Sequence, residues 1–547
     1  MVSSEEGRSS MSQSTEVVDV VVVGARPAGT ATAIALARRG RRVVALDRAS
    51  FPSDTLSTHV LFAGCVVELH RSGALERVLE TGAPKLPAVQ LSAAGHDVRG
   101  HYTPVDGIDY GLCVRRIGLD MALVETARAA GAEVRERCTV TEVLWEGGRA
   151  AGVRYTDPDG ASRELRARLV VGADGRRSQM AQLLGSDVYR TAENGRGLAF
   201  HYVRDPWAGD PEGAAHRDSI TQWRVGDTLG MFFPTDQEGG LALFMPPKED
   251  ISRFRKDADG VWAEKVASNP GLRRRLAGTE REGKLRSTAD VEAFFRVSSG
   301  AGWALVGDAG HFKDPVVAQG IRDALRFGRR LGETAAEALD HPEWLDRRLF
   351  AWELERDAEC LPSFYLGRKH TRTHPVSQLE QEFFREAADD PRLAQELADV
   401  FARTRKPQQL FRLDRQLRWF AKAALRRGAD RGALVREAVE ELRLDARMQW
   451  DLAVLRSGRR AGGGTWNRWG RNGWSPRVAL RPARPAPSAP VRQRPVDASW
   501  NAGADPAPPA GETTPAAASS PPGSAGDGAP PAPRPARRRK QPATTAA

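Results

Sequence analysis

Residues 19–40 read DVVVVGARPAGTATAIALARRG, and the order of events inside this stretch decides the fold. Val17 to Val23 form an almost unbroken β-branched run, the pattern of a strand covered on both faces in a parallel sheet. Gly24 permits a sharp exit from that strand. From Thr30 to Arg39 small and apolar residues, among them Ala33, Ile34, Leu36 and Ala37, recur with helical spacing until Gly40 stops the helix. RRVVALD at 41–47 then supplies a second short strand ending in Asp47. The result is a strand–helix–strand unit with a glycine loop at its first turn and an acid about 20 residues further on.

Such a loop has a physical job. Its bare N–H groups, together with the positive end of the helix, cradle a pyrophosphate, Gly29 lets the helix pack close to the sheet, and Asp47 accepts hydrogen bonds from an adenosine ribose. Arg26 replaces the middle glycine of the usual pattern and brings a cation to the place where phosphates would lie. Two more strand-then-glycine turns follow: LVVGADGRRS at 169–178 and WALVGDAGHF at 303–312, the latter continuing into KDPVVAQGIRDALRFG. Three such turns in this order, each more than a hundred residues from the next, are far more specific than one.

On these residues the chain resembles the flavoprotein monooxygenases of the p-hydroxybenzoate hydroxylase type and their relatives, the geranylgeranyl reductases and flavin-dependent halogenases. The resemblance spans roughly residues 17 to 345. It implies that FAD is held by Gly24, Arg26, Ala28, Gly29, Asp47 and Arg48 at its ADP end. Gly172, Asp174 and Gly175 match the family's GADG motif, and Arg116 and Leu119 match an Arg-x-x-Leu pattern that precedes a helix. Gly307, Asp308, Ala309, His311, Pro315 and Gly320 match the motif that wraps the ribityl chain and isoalloxazine ring. A helix starting near Gly320 would aim its positive end at the ring where charge collects on reduction. The sequence departs from that motif at Gly310, Ala318 and Arg322, where the family usually has alanine, glycine and asparagine.

Oxygen chemistry on a flavin needs an apolar roof that excludes water. LAFHYVRD, SITQWRVGD, TLGMFFPTD and GGLALFMPP, between about 186 and 298, alternate or run apolar and are joined by Gly and Asp turns, so an antiparallel sheet is expected there. Trp223, Phe232, Phe233 and Phe244 are the candidates for lining a substrate pocket, with ordinary sheet packing the competing role for each. RASFPSDTLSTHVL, just after Asp47, places His59 beside the flavin by the same resemblance. Its unperturbed pKa near neutrality would suit a general acid or base; helix capping by Ser57 or Thr58, with His59 merely packed, is the alternative.

The fold class expected is α/β: a Rossmann-like FAD-binding domain with a mostly parallel sheet (17–185 and 299–345), an antiparallel-sheet substrate domain (186–298), a helical extension (346–460) and a disordered tail (461–547), preceded by a disordered N-terminus (1–16). In the extension Leu410, Leu413, Leu417, Phe420 and Leu425 fall on one helical stripe, and Asp390 with Pro391 marks a helix start. The formal charge is +11, but residues 461–547 hold 12 Arg and Lys against 4 Asp and Glu, and 17 of the 35 prolines. The folded part is therefore nearly neutral, and the tail buries too little apolar area to order itself. Within it WNRWGRNGW at 466–474 mixes aromatics with arginine in the manner of a single-strand nucleic-acid binder, although a low-complexity tail is the favoured reading.

Four widely spaced cysteines, with no CxxC pair, indicate neither a disulfide framework nor a metal site and suit a reducing cytoplasm. No run of 18 apolar residues suggests a membrane span. The halogenase hallmark WxWxIP is absent, and no lysine stands in the region after the second strand, the nearest being Lys85. The function expected is NAD(P)H-dependent monooxygenation of an apolar or aromatic small molecule, with a partner flavin reductase or a carrier protein as further partners. The alternatives are a flavin reductase acting on an isoprenoid or carrier-bound substrate, and an interaction protein with a vestigial FAD fold and a nucleic-acid-binding tail.

Overall fold

The valine run becomes the strand Glu16–Val23, which lies in the parallel part of an eight-stranded mixed sheet between Val43–Leu46 on one side and Ser162–Gly172 on the other. Glu133–Arg135 continues the sheet beyond Val43–Leu46, and Trp303–Leu305 continues it beyond Ser162–Gly172, both again parallel. The computed structural model describes residues 16–460 apart from Thr58 and 210–212. The expected tail, with its Trp and Arg segment, and residues 1–15 of the expected N-terminus lie outside the described residues.

The register matters for function. Val23 pairs with Gly172, and Gly172 with Leu305, so the three glycine turns leave the sheet at the same edge. This is the carboxyl edge at a switch point of strand order, where open α/β sheets bind ligands. The helices Pro27–Ala37 and Gly320–Ala338 pack against each other under it. Gly328 and Gly332 sit where any Cβ would strike Ala28, Ala31 or Ala35 of the first helix, so small residues set this close approach.

A second sheet of seven strands runs Glu280–Thr288, Leu198–Arg204, Gly239–Met245, Thr228–Pro234, Ser219–Val225, Ala88–Ala93, His96–His101. Its pairings are antiparallel except that Ser219–Val225 lies parallel to Ala88–Ala93. The expected boundary at 186 therefore misses two strands: 88–101 belong to this sheet although they precede much of the nucleotide-binding sheet in the chain. Parallel pairing of segments more than a hundred residues apart leaves no local turn signal to read.

The expected helical extension begins with Pro342–His370 and continues through Gln378–Asp389, Pro391–Ala402, Leu413–Leu425 and Arg431–Arg456. Asp390 caps its helix by accepting from Arg392 N and Leu393 N. Phe383, Phe401, Leu397 and Trp419 of these helices join one core with Val89, Leu91, Met231, Phe233 and Leu243 of the second sheet. The extension thus closes over the sheet face that looks toward the nucleotide-binding loops.

Candidate flavin site and substrate chamber

The three turns touch one another. A Cβ on Gly24 would sit 2.7 Å from the carbonyl carbon of Ala173, and one on Gly307 would sit 2.7 Å from Cβ of Ala28. Gly24 and Gly307 have φ of +104° and +62°, and Gly175 has +82°, conformations that glycine adopts at least cost. A Cβ on Gly29 would lie 2.9 Å from the carbonyl carbon of Gly24 and closer still to its oxygen, which is why the helix can start so near the strand.

Two helix ends face this edge with unspent donors. The helices Pro27–Ala37 and Gly320–Ala338 both lack a side-chain cap at the N-terminus, so their first N–H groups remain available to a ligand. Asp308 lies against the second of these ends, 3.8 Å from where a Cβ on Gly320 would be. Burial pushes its carboxyl up to about 6, against the opposing pull of Arg116, Arg176 and Lys313. A carboxylate left uncomfortable in this way suits a partner bearing hydroxyl donors, such as a ribityl chain.

Arg26 and Arg116 converge on a residue the sequence reading missed. Asp120 is fully buried and accepts from Arg116 Nε at 2.9 Å and Nη2 at 3.0 Å, and also from Arg26. Arg26 bonds Ser53 as well. The i, i+4 spacing from Arg116 to Asp120 was the available signal. Asp47 holds the glycine loop directly, Oδ2 accepting from Ala25 N at 2.7 Å and Oδ1 from Ala49 N at 2.8 Å, and Arg48 beside it is exposed. The carboxylate of Asp174 bonds the hydroxyl of Ser178 and Met180 N, which anchors the short helix after its turn.

The uncapped helix ends, the bare loops and the cations at the phosphate end form a donor set that fits FAD. Ala318 has φ +47° and ψ +41°, the left-handed conformation that explains the family's glycine there. Arg322 pairs with Asp323 and Glu359. His311 is fully buried, 3.4 Å from Cys360 Sγ. His311, Asp323 and Cys360 offer donor atoms within 4.8 Å of one another, but the Lys313 amine already bonds Asp323 there.

Two expectations need correction. His59 has no exposed surface, its Nε2 lies 2.8 Å from the Tyr202 hydroxyl, and burial followed by the Arg116 charge pulls its pKa down to about 3. It is neutral at physiological pH and is not the near-neutral acid expected. Of the four aromatic candidates only Phe233 faces the flavin side. Trp223, Phe232 and Phe244 pack on the opposite face of the sheet with Phe254, Trp262 and Leu272, because strand neighbours point to alternate faces.

The flavin-side face instead bounds a small cavity of about 30 Å³ against Pro315, Val316 and Ala318, walled by Phe62, Leu91, Met231, Phe233 and Leu243, with Gln222 its one polar side chain. A larger cavity of about 140 Å³ adjoins it, sharing Leu91, Gln222, Val316 and Phe401, and runs between the sheet and the helical extension past Phe383, Trp419, Leu444 and Met448. Lys369, Glu380 and Asp445 bring charge to this outer chamber.

Residues 17–347 match the FAD binding domain family. The chain belongs to that family. The flavoprotein is 30% identical to the menaquinone reductase of Mycobacterium tuberculosis (strain ATCC 25618 / H37Rv) over 335 residues, 59% of this chain and 76% of that one. It is also 30% identical to digeranylgeranylglycerophospholipid reductase 1 of Methanopyrus kandleri over 403 residues, 66% of this chain and 96% of the relative. Among solved structures the flavin-dependent brominase Bmp2 shares the fold with a TM-score of 0.62 at 20% identity, covering 78% of this chain and all of that one. This flavoprotein is an FAD-dependent oxidoreductase, and with its cradle intact the reading of a relict fold serving only as an interaction module is set aside.

Proposed function

We propose that this oxidoreductase is a monooxygenase that hydroxylates or epoxidises an apolar molecule long enough to extend from the Pro315–Ala318 loop into the chamber under the helical extension. When bound, FAD supplies the redox chemistry; the chain's own residues bind the substrate, orient it and keep water out. The observation that carries the reading is the flavin-side cavity itself. Its walls are apolar except for Gln222, and no ionisable side chain lines it. Saturating a carbon–carbon double bond requires a proton delivered to carbon, and no acid stands there to deliver it. Oxygen insertion into an apolar substrate requires chiefly a dry, shaped space.

Electrons are assigned to NAD(P)H, and a partner flavin reductase is the second possible source. The four cysteines are buried and free, which fits a reducing cytoplasm. The second reading, a reductase of an isoprenoid or carrier-bound substrate, is favoured by the outer chamber, whose length suits a chain, and by the two reductases at 30% identity. Purified holoprotein supplied with NADPH and apolar alkenes separates the two. The proposal expects oxygen consumption and a product heavier by one oxygen; turnover undiminished without air, yielding a product heavier by two hydrogens, would overturn it.

A further inference from the structure

The stripe expected in the extension divides: Leu410 ends a separate short turn and is buried, Phe420 is half-buried against the core, and the other three leucines face water. Leu413, Leu417 and Leu425 are 58%, 60% and 84% exposed. The next helix, Arg431–Arg456, repeats the pattern with Val435, Val439, Leu442, Ala446 and Trp450, spaced 4, 3, 4 and 4 residues apart and all exposed, Trp450 by 71%. That spacing sets them on one face. Arg436, Arg443 and Arg447 each follow a stripe residue directly, about 100° round the helix, and so line one flank of it. None of the three side chains makes an ion pair or hydrogen bond with a described residue, although ion pairs are abundant elsewhere in this protein.

Unpaired arginines beside an apolar stripe ask for an anionic occupant. Residues 461–547 are a poor one, with 12 basic against 4 acidic residues. A second copy docked face to face about a twofold axis would bring the same arginines together. An anionic bilayer surface matches both features: apolar side chains and a tryptophan enter the headgroup boundary while the arginines meet lipid phosphates. We infer that the helix pair Leu413–Leu425 and Arg431–Arg456 docks this flavoprotein on an anionic membrane surface. The opposite faces of the same two helices wall the outer chamber through Trp419, Leu444 and Met448. If the substrate reading above holds, docking brings the chamber beside a bilayer-resident apolar substrate; the docking itself does not depend on that reading.

The test uses the full chain with FAD and vesicles of phosphatidylcholine, alone or mixed with phosphatidylglycerol. The protein should float with the mixed vesicles, weakly with the neutral ones, and come off as salt rises. Arg436→Gln, Arg443→Gln and Arg447→Gln together should weaken partitioning to mixed vesicles about a hundredfold. Val439→Ser, Leu442→Ser and Trp450→Ser together should weaken it at least about tenfold even at low salt. Flavin content and circular dichroism should be unchanged in both, since every altered side chain is exposed. Failure of the wild type to float, or flotation of both variants like wild type, overturns the inference. So does a wild-type dimer in sedimentation that the serine variant dissolves, which would make the stripe a contact between copies. Turnover of a water-soluble substrate reports on the redox reading separately, because no altered residue lines either cavity.

Discussion

Arg116 grips Asp120 one helical turn away with two parallel hydrogen bonds of 2.9 and 3.0 Å, and Arg26 from the glycine loop shares the same carboxylate. One buried acid therefore fixes two cations contributed by separate parts of the chain to a single edge of the sheet. Removing the acid leaves the nearly buried Arg116 guanidinium without its hydrogen-bond partner, while Arg26 keeps Ser53. Asp120→Ala should cost about 3–5 kcal/mol of stability by denaturant unfolding and weaken FAD in a flavin titration. Unchanged stability would mean that the arginines are held by something else.

Gly29 offers a sharper test, because its neighbour is backbone. A Cβ there meets the carbonyl of Gly24, which cannot move without distorting the loop. Gly29→Ala should purify with visible flavin absorbance strongly reduced and stability lowered by about 1–3 kcal/mol. Retention of a full complement of flavin would show that the loop yields more readily than its packing indicates.

The nucleotide-binding half was legible because each of its demands falls on adjacent residues: a β-branched run, a glycine, a helix of small residues. The chamber was not. Phe232 and Phe233 are identical in type and differ only in parity along a strand, and parity has meaning only once it is known which face is covered. Val89 and Leu91 were invisible as pocket residues because their strand joins the sheet in parallel with a partner 131 residues on, Val89 pairing with Ile220 and Leu91 with Gln222. His59 shows a different limit: the burial that depresses it most and the charges of Arg116, Arg286 and Arg115 come from elsewhere in the fold, and only the opposing charge of Asp54 is near it in sequence.

Asp308 should leave a pH signature. Its carboxyl is raised to about 6 by burial, above the ordinary value of 3.8. A raised carboxyl stabilises the fold most fully below the unfolded value, and that contribution is lost as pH climbs through 6. Without flavin, Asp308→Asn should therefore stabilise the protein by about 1–2 kcal/mol at pH 7.5, and by little near pH 4. The same substitution should weaken flavin binding, since the amide replaces a carboxylate at the hydroxyl-bearing part of the ligand. A stability gain independent of pH would mean that the side chain carries no such strain.

Ala318 adopts a left-handed conformation that costs an ordinary residue energy and glycine almost none. Ala318→Gly should stabilise the protein by about 0.5–1 kcal/mol, part of the relief being offset by glycine's greater freedom in the unfolded chain. A thermal melt of the pair in the same buffer decides it, and a lower midpoint for the glycine variant would show that the methyl group earns its place by packing.

The two faces of the second sheet make separable predictions. Phe244 is fully buried between the sheet and Trp262, on the side away from the flavin loop. Met231 borders the cavity of about 30 Å³ beside Pro315 and Val316. Phe244→Ala empties a packed core and should cost about 3–5 kcal/mol of stability, with KM for the substrate unchanged in whatever protein remains folded. Met231→Trp puts a larger apolar side chain where a substrate would reach the ring. It should leave flavin content near wild type, cost less than about 3 kcal/mol of stability, and cut kcat/KM by a factor of ten or more. The contrast carries the argument: a chamber on the opposite face would reverse the two results, Phe244→Ala changing turnover and Met231→Trp changing only stability.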